Sequence, residues 1–203
     1  MATRHPLRQT WTAVRAVLVL TVVLGLGYTA IITAIGQVVM PSQANGALLR
    51  GVDGEVVGSA LIGQSFTDAD GNALPEWFQS RPSAAGDGYD GSASSGSNLG
   101  PENEDLVAAI EDRRAAIAEL EGVDPAVVPA DALTASSSGL DPHISPEYAA
   151  IQVARVAEAR GLEVAQVEEL VAAATTPADL GVAGRPVVNV LQLNLALAEL
   201  DAG

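Results

Sequence analysis

Ser136, Ser137 and Ser138 stand just ahead of Asp141 and His143 in the run T-A-S-S-S-G-L-D-P-H-I-S-P, residues 134–146. A hydroxyl, an imidazole and a carboxylate are the three groups of a nucleophilic hydrolase. The spacing argues for something else. Triad members converge from distant segments, and the chain has no G-x-S-x-G elbow. An aspartate two residues before a histidine, with prolines at 142 and 146, predicts a turn in which Asp caps backbone, Pro fixes φ and His packs. No catalytic residue is assigned.

Two further patterns could hold a ligand. Asp68-Ala69-Asp70-Gly71-Asn72 opens like a calcium loop, but its glycine falls fourth rather than sixth, and Gln79 stands where a bidentate Glu belongs. A polar turn is expected there. With only His5 and His143 and no cysteine, no zinc site is expected either, nor any disulfide. Lysine is absent, which excludes a phosphate-binding P-loop. Ser95-Gly96-Ser97-Asn98-Leu99-Gly100, leading into Pro101, could turn backbone N–H groups toward an anion. The acids Glu102, Glu104, Asp105 and Glu111 would repel it, so an ordered structural loop is the expectation.

These residues need a scaffold, and the sequence outlines one. Glu55–Ile62 reads as a strand after the turn Asp53-Gly54, and Pro75–Gln79 as a helical turn. Residues 83–100, rich in Gly and Ser, have a composition compatible with disorder or with an ordered loop on a rigid scaffold. A helix follows from Pro101 to Gly122, with Leu106, Ile110, Ile117 and Leu120 at helical spacing. Val127–Thr134 reads as extended. Ser145-Pro146-Glu147 starts a helix that Gly161 stops. Val164–Ala174 is a further helix, Val187-Val188 is extended, and Asn189 caps a last helix through Leu191, Leu195 and Leu200. Aromatics make up only 3% of the chain, so Val, Leu, Ile and Ala must fill the core.

The longest uncharged stretch, Ala16–Leu49, begins with twenty almost purely apolar residues, Ala16–Ile35. As a helix these span about 30 Å, the thickness of a bilayer's hydrocarbon core. Arg4, Arg8 and Arg15 precede it without an acid, a head of +3. Seven arginines against 25 acids give the rest −18, and the two together are the chain's −15. Basic flanks stay cytoplasmic, so the N-terminus is expected inside and the body outside, with Trp11 as an interface anchor. The length of the run, and the lack of an A-x-A-like site after it, point to an uncleaved anchor rather than a signal peptide. The acidic body argues against nucleic acid as a partner. The resulting organisation is a short cytoplasmic head (1–15), a transmembrane helix (16–39), a juxtamembrane connector (40–51) and one mixed α/β, helix-rich extracytoplasmic domain (52–203).

Several stretches together carry a resemblance: Gly58–Phe66, Trp77–Ala84, Ser94–Pro101, Val128–Pro146 and Val188–Leu197. In these the chain resembles the C subunit (KdpC) of the Kdp-type, high-affinity potassium-transporting P-type ATPase. Ser95 and Ser137 stand where that family commonly has glycine, which requires φ < 0 at Ser137. The resemblance implies a non-catalytic subunit in the cell membrane, described in the family as a catalytic chaperone that raises ATP affinity. It implies a complex with a channel-like potassium-translocating subunit, a P-type ATP-hydrolysing subunit and a small single-helix subunit. ATP enters only through this resemblance, and potassium as the ion that the complex transports. Candidate contact or regulatory residues are Ser97, Asn98 and Gly100 in one loop, with Ser138, Gly139, Asp141, His143 and Ser145 in another. Small residues Gly25, Gly27, Ala30 and Ala34 would let the membrane helix approach a partner closely. The rival reading is a membrane-anchored extracytoplasmic binding module or hydrolase.

Overall fold

The computed structural model describes residues 6–178 and 180–201, so Arg4 and His5 lie outside the described residues. The chain divides into two compact units, Met1–Ala47 and Leu48–Gly203.

In the first unit the helix reaches beyond the apolar run: α1 (Pro6–Leu20), a π-helical stretch (Thr21–Tyr28) and α2 (Thr29–Val39) are continuous. The 33 residues Leu7–Val39, of mean hydropathy 2.3, form a helix long and apolar enough to cross a membrane. The helix therefore begins at Pro6, within the head expected to precede the span. Met40 breaks the helix with φ −137°, and α3 (Pro41–Ala44) follows. Asn45 folds back on this corner, its Nδ2 donating to Gln37 Oε1 at 3.0 Å and to the Pro41 carbonyl at 2.7 Å.

The second unit is helix-rich with two small antiparallel sheets, β1 (Leu48–Arg50) with β2 (Val56–Ser59), and β3 (His143–Ile144), β5 (Val187–Asn189) and β4 (Thr175–Thr176) in the order β3-β5-β4. Helices α6 (Pro146–Arg160), α7 (Val164–Ala174) and α8 (Val190–Asp201) pack on the three-stranded sheet. The core they bury is small and mainly aliphatic, including Val156, Val167, Val188, Leu193 and Leu197, with the rings of Phe78 and Tyr148 inside it. The expected start and stop signals hold at α6, where the Ser145 hydroxyl accepts from Tyr148 N–H and Gly161 ends the helix at φ 64°. They hold at α8 too, where the Asn189 side chain accepts from Gln192 N–H at 3.1 Å.

Four local expectations are corrected. Helix α4 (Glu104–Glu121) starts after Pro101, because Asn103 is the stronger cap: its side chain accepts from Asp105 and Leu106 N–H, leaving Pro101-Glu102 in a turn. Val127–Thr134 is not extended. Asp124 caps a 3₁₀ turn (Pro125–Val127), and α5 (Ala130–Leu133) follows Pro129. The strand expected over Glu55–Ile62 shortens to β2, because the Ser59 hydroxyl accepts from Leu61 N–H and turns the chain. Pro75–Gln79 forms a turn rather than a helix, and its backbone is satisfied from outside.

That last segment shows how irregular chain is tied to the helices. Asn194 of α8 accepts from Phe78 N–H at 2.9 Å and donates to Phe78 C=O at 3.0 Å. Gln152 of α6 grips Gln79 in the same manner, at 2.6 and 3.3 Å. Arg155 donates to the carbonyls of Pro75 and Trp77 and makes a bidentate pair with Glu121 of α4 at 2.9 and 3.1 Å. Burial pushes the Glu121 carboxyl above its ordinary range, and Arg155 draws it part of the way back. The amides of Gln152 and Asn194 and the Arg155–Glu121 pair thus have their partners, as burial demands.

Candidate functional site

The two loops singled out by sequence, 83–100 and 135–145, lock onto each other. The carbonyl of Ser138 accepts from Ser95 N–H and from the Ser94 hydroxyl, both at 3.0 Å. The next carbonyl, that of Gly139, accepts from the Ser83 hydroxyl at 2.7 Å. Ser83 Oγ in turn receives the N–H groups of Ala85 and Tyr89. The Gly/Ser-rich stretch is therefore an ordered loop in which the hydroxyls of Ser83, Ser94 and Ser95 donate to backbone carbonyls.

Glycine is required at the crossing point. Gly139 has φ 69°, and a Cβ there would lie 2.6 Å from the Ser95 carbonyl and 2.7 Å from the Ala85 nitrogen. Ser137, standing where the related pattern has glycine, does not adopt positive φ, which is the condition for that substitution.

Behind the crossing lies an ion-pair cluster. Arg81 Nη1 meets Asp141 Oδ2 at 3.0 Å, and its Nη2 donates to the Thr134 carbonyl at 3.2 Å. Arg81 Nε is buried without a hydrogen-bond partner among the described residues. Asp141 Oδ1 accepts from His143 N–H at 3.0 Å and lies 3.3 Å from His143 Nδ1. Burial pushes the Asp141 carboxyl up, but the bonds from His143 and the Arg81 charge outweigh it and hold it below the usual value. Tyr89, at φ 56°, donates its hydroxyl to the Arg81 carbonyl at 2.6 Å, and burial raises that phenol to about 12.

Carboxylates also close the edge of the sheet. Asp131 of α5 accepts from Ser145 N–H at 2.7 Å and from its hydroxyl at 2.8 Å, while Asp141 accepts from His143 N–H. The β3 backbone donors on either side of Ile144 are thereby occupied, which protects a short edge strand. Two grooves of about 490 Å³ flank the cluster and share Arg81 and Asp141. One is lined by His143, Ser145 and Arg185, the other by Ser136–Ser138, Leu61 and Ile62.

The arrangement is a turn scaffold rather than a triad. Ser138 Oγ accepts from Leu140 N–H and lies 3.4 Å from Ser136 Oγ; no hydrogen bond joins any of the three serines to His143 among the described residues. Asp68 builds the polar turn expected of it, accepting from the N–H groups of Asp70 and Asn72. Among the described residues no group of three or more His, Asp or Glu gathers as metal ligands.

Asp141, His143 and Ser145 line one groove, Ser138 and Asp141 the other, and Gly139 sits at the loop crossing. Ser97, Asn98 and Gly100 lie on the exposed outer part of the partner loop, with Asn98 at φ 54°. Sequence reasoning missed Arg81, Tyr89, Ser83 and Asp131. Arg81 carried a usable signal, being the only base between Arg50 and Arg113.

A family model described as KdpC, K+-transporting ATPase, c chain, matches residues 10–199. The potassium-transporting ATPase KdpC subunit of Kineococcus radiotolerans is 54% identical over 97% of this chain and 96% of its own length. That of Beijerinckia indica is 53% identical over 90% and 89%, and that of Mycobacterium tuberculosis 50% identical over 95% and 99%. With a match that takes in the apolar helix, the interlocked loops and the last helix alike, the chain belongs to the KdpC family, the C chains of the K+-transporting ATPase.

Proposed function

We propose that this chain is a non-catalytic accessory subunit of an ATP-driven, high-affinity potassium uptake complex, supporting assembly and the work of the ATP-hydrolysing subunit. The observation that carries this reading is the end-to-end relationship to KdpC subunits, over residues 10–199. Its partners are then a channel-like potassium-translocating subunit, a P-type ATP-hydrolysing subunit and a small single-helix subunit. The chain crosses the cell membrane once with its arginine-bearing end in the cytoplasm and its acidic body outside, as the charge asymmetry favours. In this topology the body lies opposite the ATP pool, so any chaperone effect on ATP affinity is relayed through protein contacts and the membrane helix.

The site geometry supports action by contact. Ser83, Ser94 and Ser95 tie the two loops together, Asp141 and His143 bond within one of them, and ordered loops on a scaffold present surface. Ser97, Asn98 and Gly100, with Ser138, Gly139, Asp141, His143 and Ser145, are the proposed contact or regulatory residues. The decisive experiment is potassium-dependent ATP hydrolysis by the purified complex with and without this subunit. Loss of activity or of ATP affinity without it supports the reading; unchanged hydrolysis refutes it. Protease added to protoplasts should digest the body, and a protected body would overturn the topology. Deleting Met1–Val39 should abolish co-purification with the other subunits if the helix docks them, and undiminished co-purification would refute that docking.

A further inference from the structure

Helix α1 carries the N-terminal positive charge on one face. Each α-helical residue turns the side-chain direction by about 100°, so Arg8, Trp11 and Arg15 fall within about 60° of one another and the two arginines within about 20°. The α-helical geometry holds from Pro6 to Leu20, with the π-helical stretch beginning only at Thr21. Along the axis the two guanidinium-bearing residues are about 10 Å apart. Both are exposed, and Trp11 between them is 63% exposed. Thr12 shares the face, but its hydroxyl is spent on the Arg8 carbonyl at 2.9 Å. One turn further toward the apolar run, Leu18 and Val19 continue the face into hydrocarbon-facing surface, 59% and 56% exposed.

Nothing in this unit neutralises the pair. The first acidic residue of the chain is Asp53, beyond the unit's end at Ala47, and neither Arg8 nor Arg15 has an ion-pair partner among the described residues. Arg15 is the last charge before the uncharged run, which places it at the hydrocarbon edge of a span starting there. A bilayer's polar zone is about 5–7 Å deep on each side, and a snorkelling arginine adds several ångströms of reach. The Arg15 guanidinium then lies at phosphate depth, and Arg8, about two turns further out, meets the same phosphate by folding its side chain back along the helix. Each presents a planar fork that matches a phosphate bidentately, and an indole between them suits the same interface.

We propose that the Arg8–Trp11–Arg15 face binds the headgroup phosphate of an anionic phospholipid, with its acyl chains laid along Leu18 and Val19. The lipid is favoured as occupant by the complementary charge and by the continuity of this face with the membrane-spanning surface. The proposal rests on the chain spanning a bilayer but not on which way it faces.

The test is native mass spectrometry of the full chain in detergent with equal phosphatidylglycerol and phosphatidylcholine. At about fivefold per arginine near an anionic surface, replacing both should lower the preference for phosphatidylglycerol by about twenty-fivefold. The expected result is that R8Q/R15Q loses this preference while R114Q/R185Q, which removes the same charge from the body, keeps it. Equal retention by R8Q/R15Q, an equal loss in R114Q/R185Q, or displacement of the lipid by excess inorganic phosphate would each overturn the proposal. Micelle binding does not depend on orientation, so this test can fail or succeed independently of the protoplast digestion that tests the topology.

Discussion

Replacing Gly139 by alanine puts a methyl group where the two loops cross, and its cost can be built from the geometry. At φ 69° the new side chain meets left-handed backbone strain of about 1–2 kcal/mol. It also lies 2.6 Å from the Ser95 carbonyl and 2.7 Å from the Ala85 nitrogen, which are backbone atoms and cannot swing aside. Separating the loops to make room breaks the bonds from Ser95 N–H and the Ser94 hydroxyl to Ser138, and from Ser83 to Gly139. At about 1 kcal/mol for each of these three, the loss should reach about 4–5 kcal/mol, a large part of the stability of an ordinary domain. Gly122 supplies the control. It ends α4 at φ 65° with open space around its Cα, so G122A carries the strain without the collision. Urea unfolding of the full chain in detergent, followed by tryptophan fluorescence, should place G139A at least about 2 kcal/mol below G122A. Equal midpoints for the two variants would refute the close approach of loop to loop on which the site description depends.

Three other outcomes follow from the same contacts. R155A strands the carboxylate of Glu121, a side chain only 1% exposed, and should cost about 3–5 kcal/mol in the same unfolding assay. N194A removes both bonds to the Phe78 backbone and leaves its buried polar groups unpaired, a loss of about 2–4 kcal/mol by the same measure. The Asp141 carboxyl titrates below its ordinary value in the folded chain, so its stabilisation is full above about pH 4 and disappears as pH falls through the folded value. The gap in stability between the native chain and D141N should therefore be wide at pH 6 and narrow toward pH 3, and a gap independent of pH would contradict the ion-pair cluster.

Legibility in the sequence follows the range of the forces involved. The caps at Ser145 and Asn189, the stop at Gly161, the span of α7 and the turn at Asp68 all rest on bonds within a few residues, and local pattern identified them. The start of α4 slipped from Pro101 to Glu104 because two local signals competed and the Asn103 side chain, with two N–H partners, prevailed. What could not be read locally were the pairings at long sequence separation. Nothing near Trp77-Phe78-Gln79 says that Asn194 and Gln152 will replace the missing helical bonds. Likewise Gly/Ser composition does not show that Ser83, Ser94 and Ser95 will find the carbonyls of Ser138 and Gly139. Arg81 was overlooked for the same reason, since its meaning comes from Asp141, sixty residues away.

A shared device runs through these long-range pairings: a side-chain amide, hydroxyl or carboxylate stands in for a missing strand neighbour. Gln152 and Asn194 each bind both backbone groups of a single residue, as a paired strand would, and Asp131 and Asp141 satisfy β3 on its otherwise open side. Such hooks order irregular backbone where the sheets are only two to four residues long. They differ from strand pairing in one physical respect. A ladder fixes register through the side chains of a whole buried face, whereas an amide buried with both of its partners fixes a single residue and is costly in any other position. Segment 75–79 is therefore indexed to α6 and α8 at Phe78 and Gln79, and Arg81, two residues on, carries that index to Asp141 at the crossing of the loops. A short run of buried polar contacts thereby fixes the positions of these loops relative to the helices.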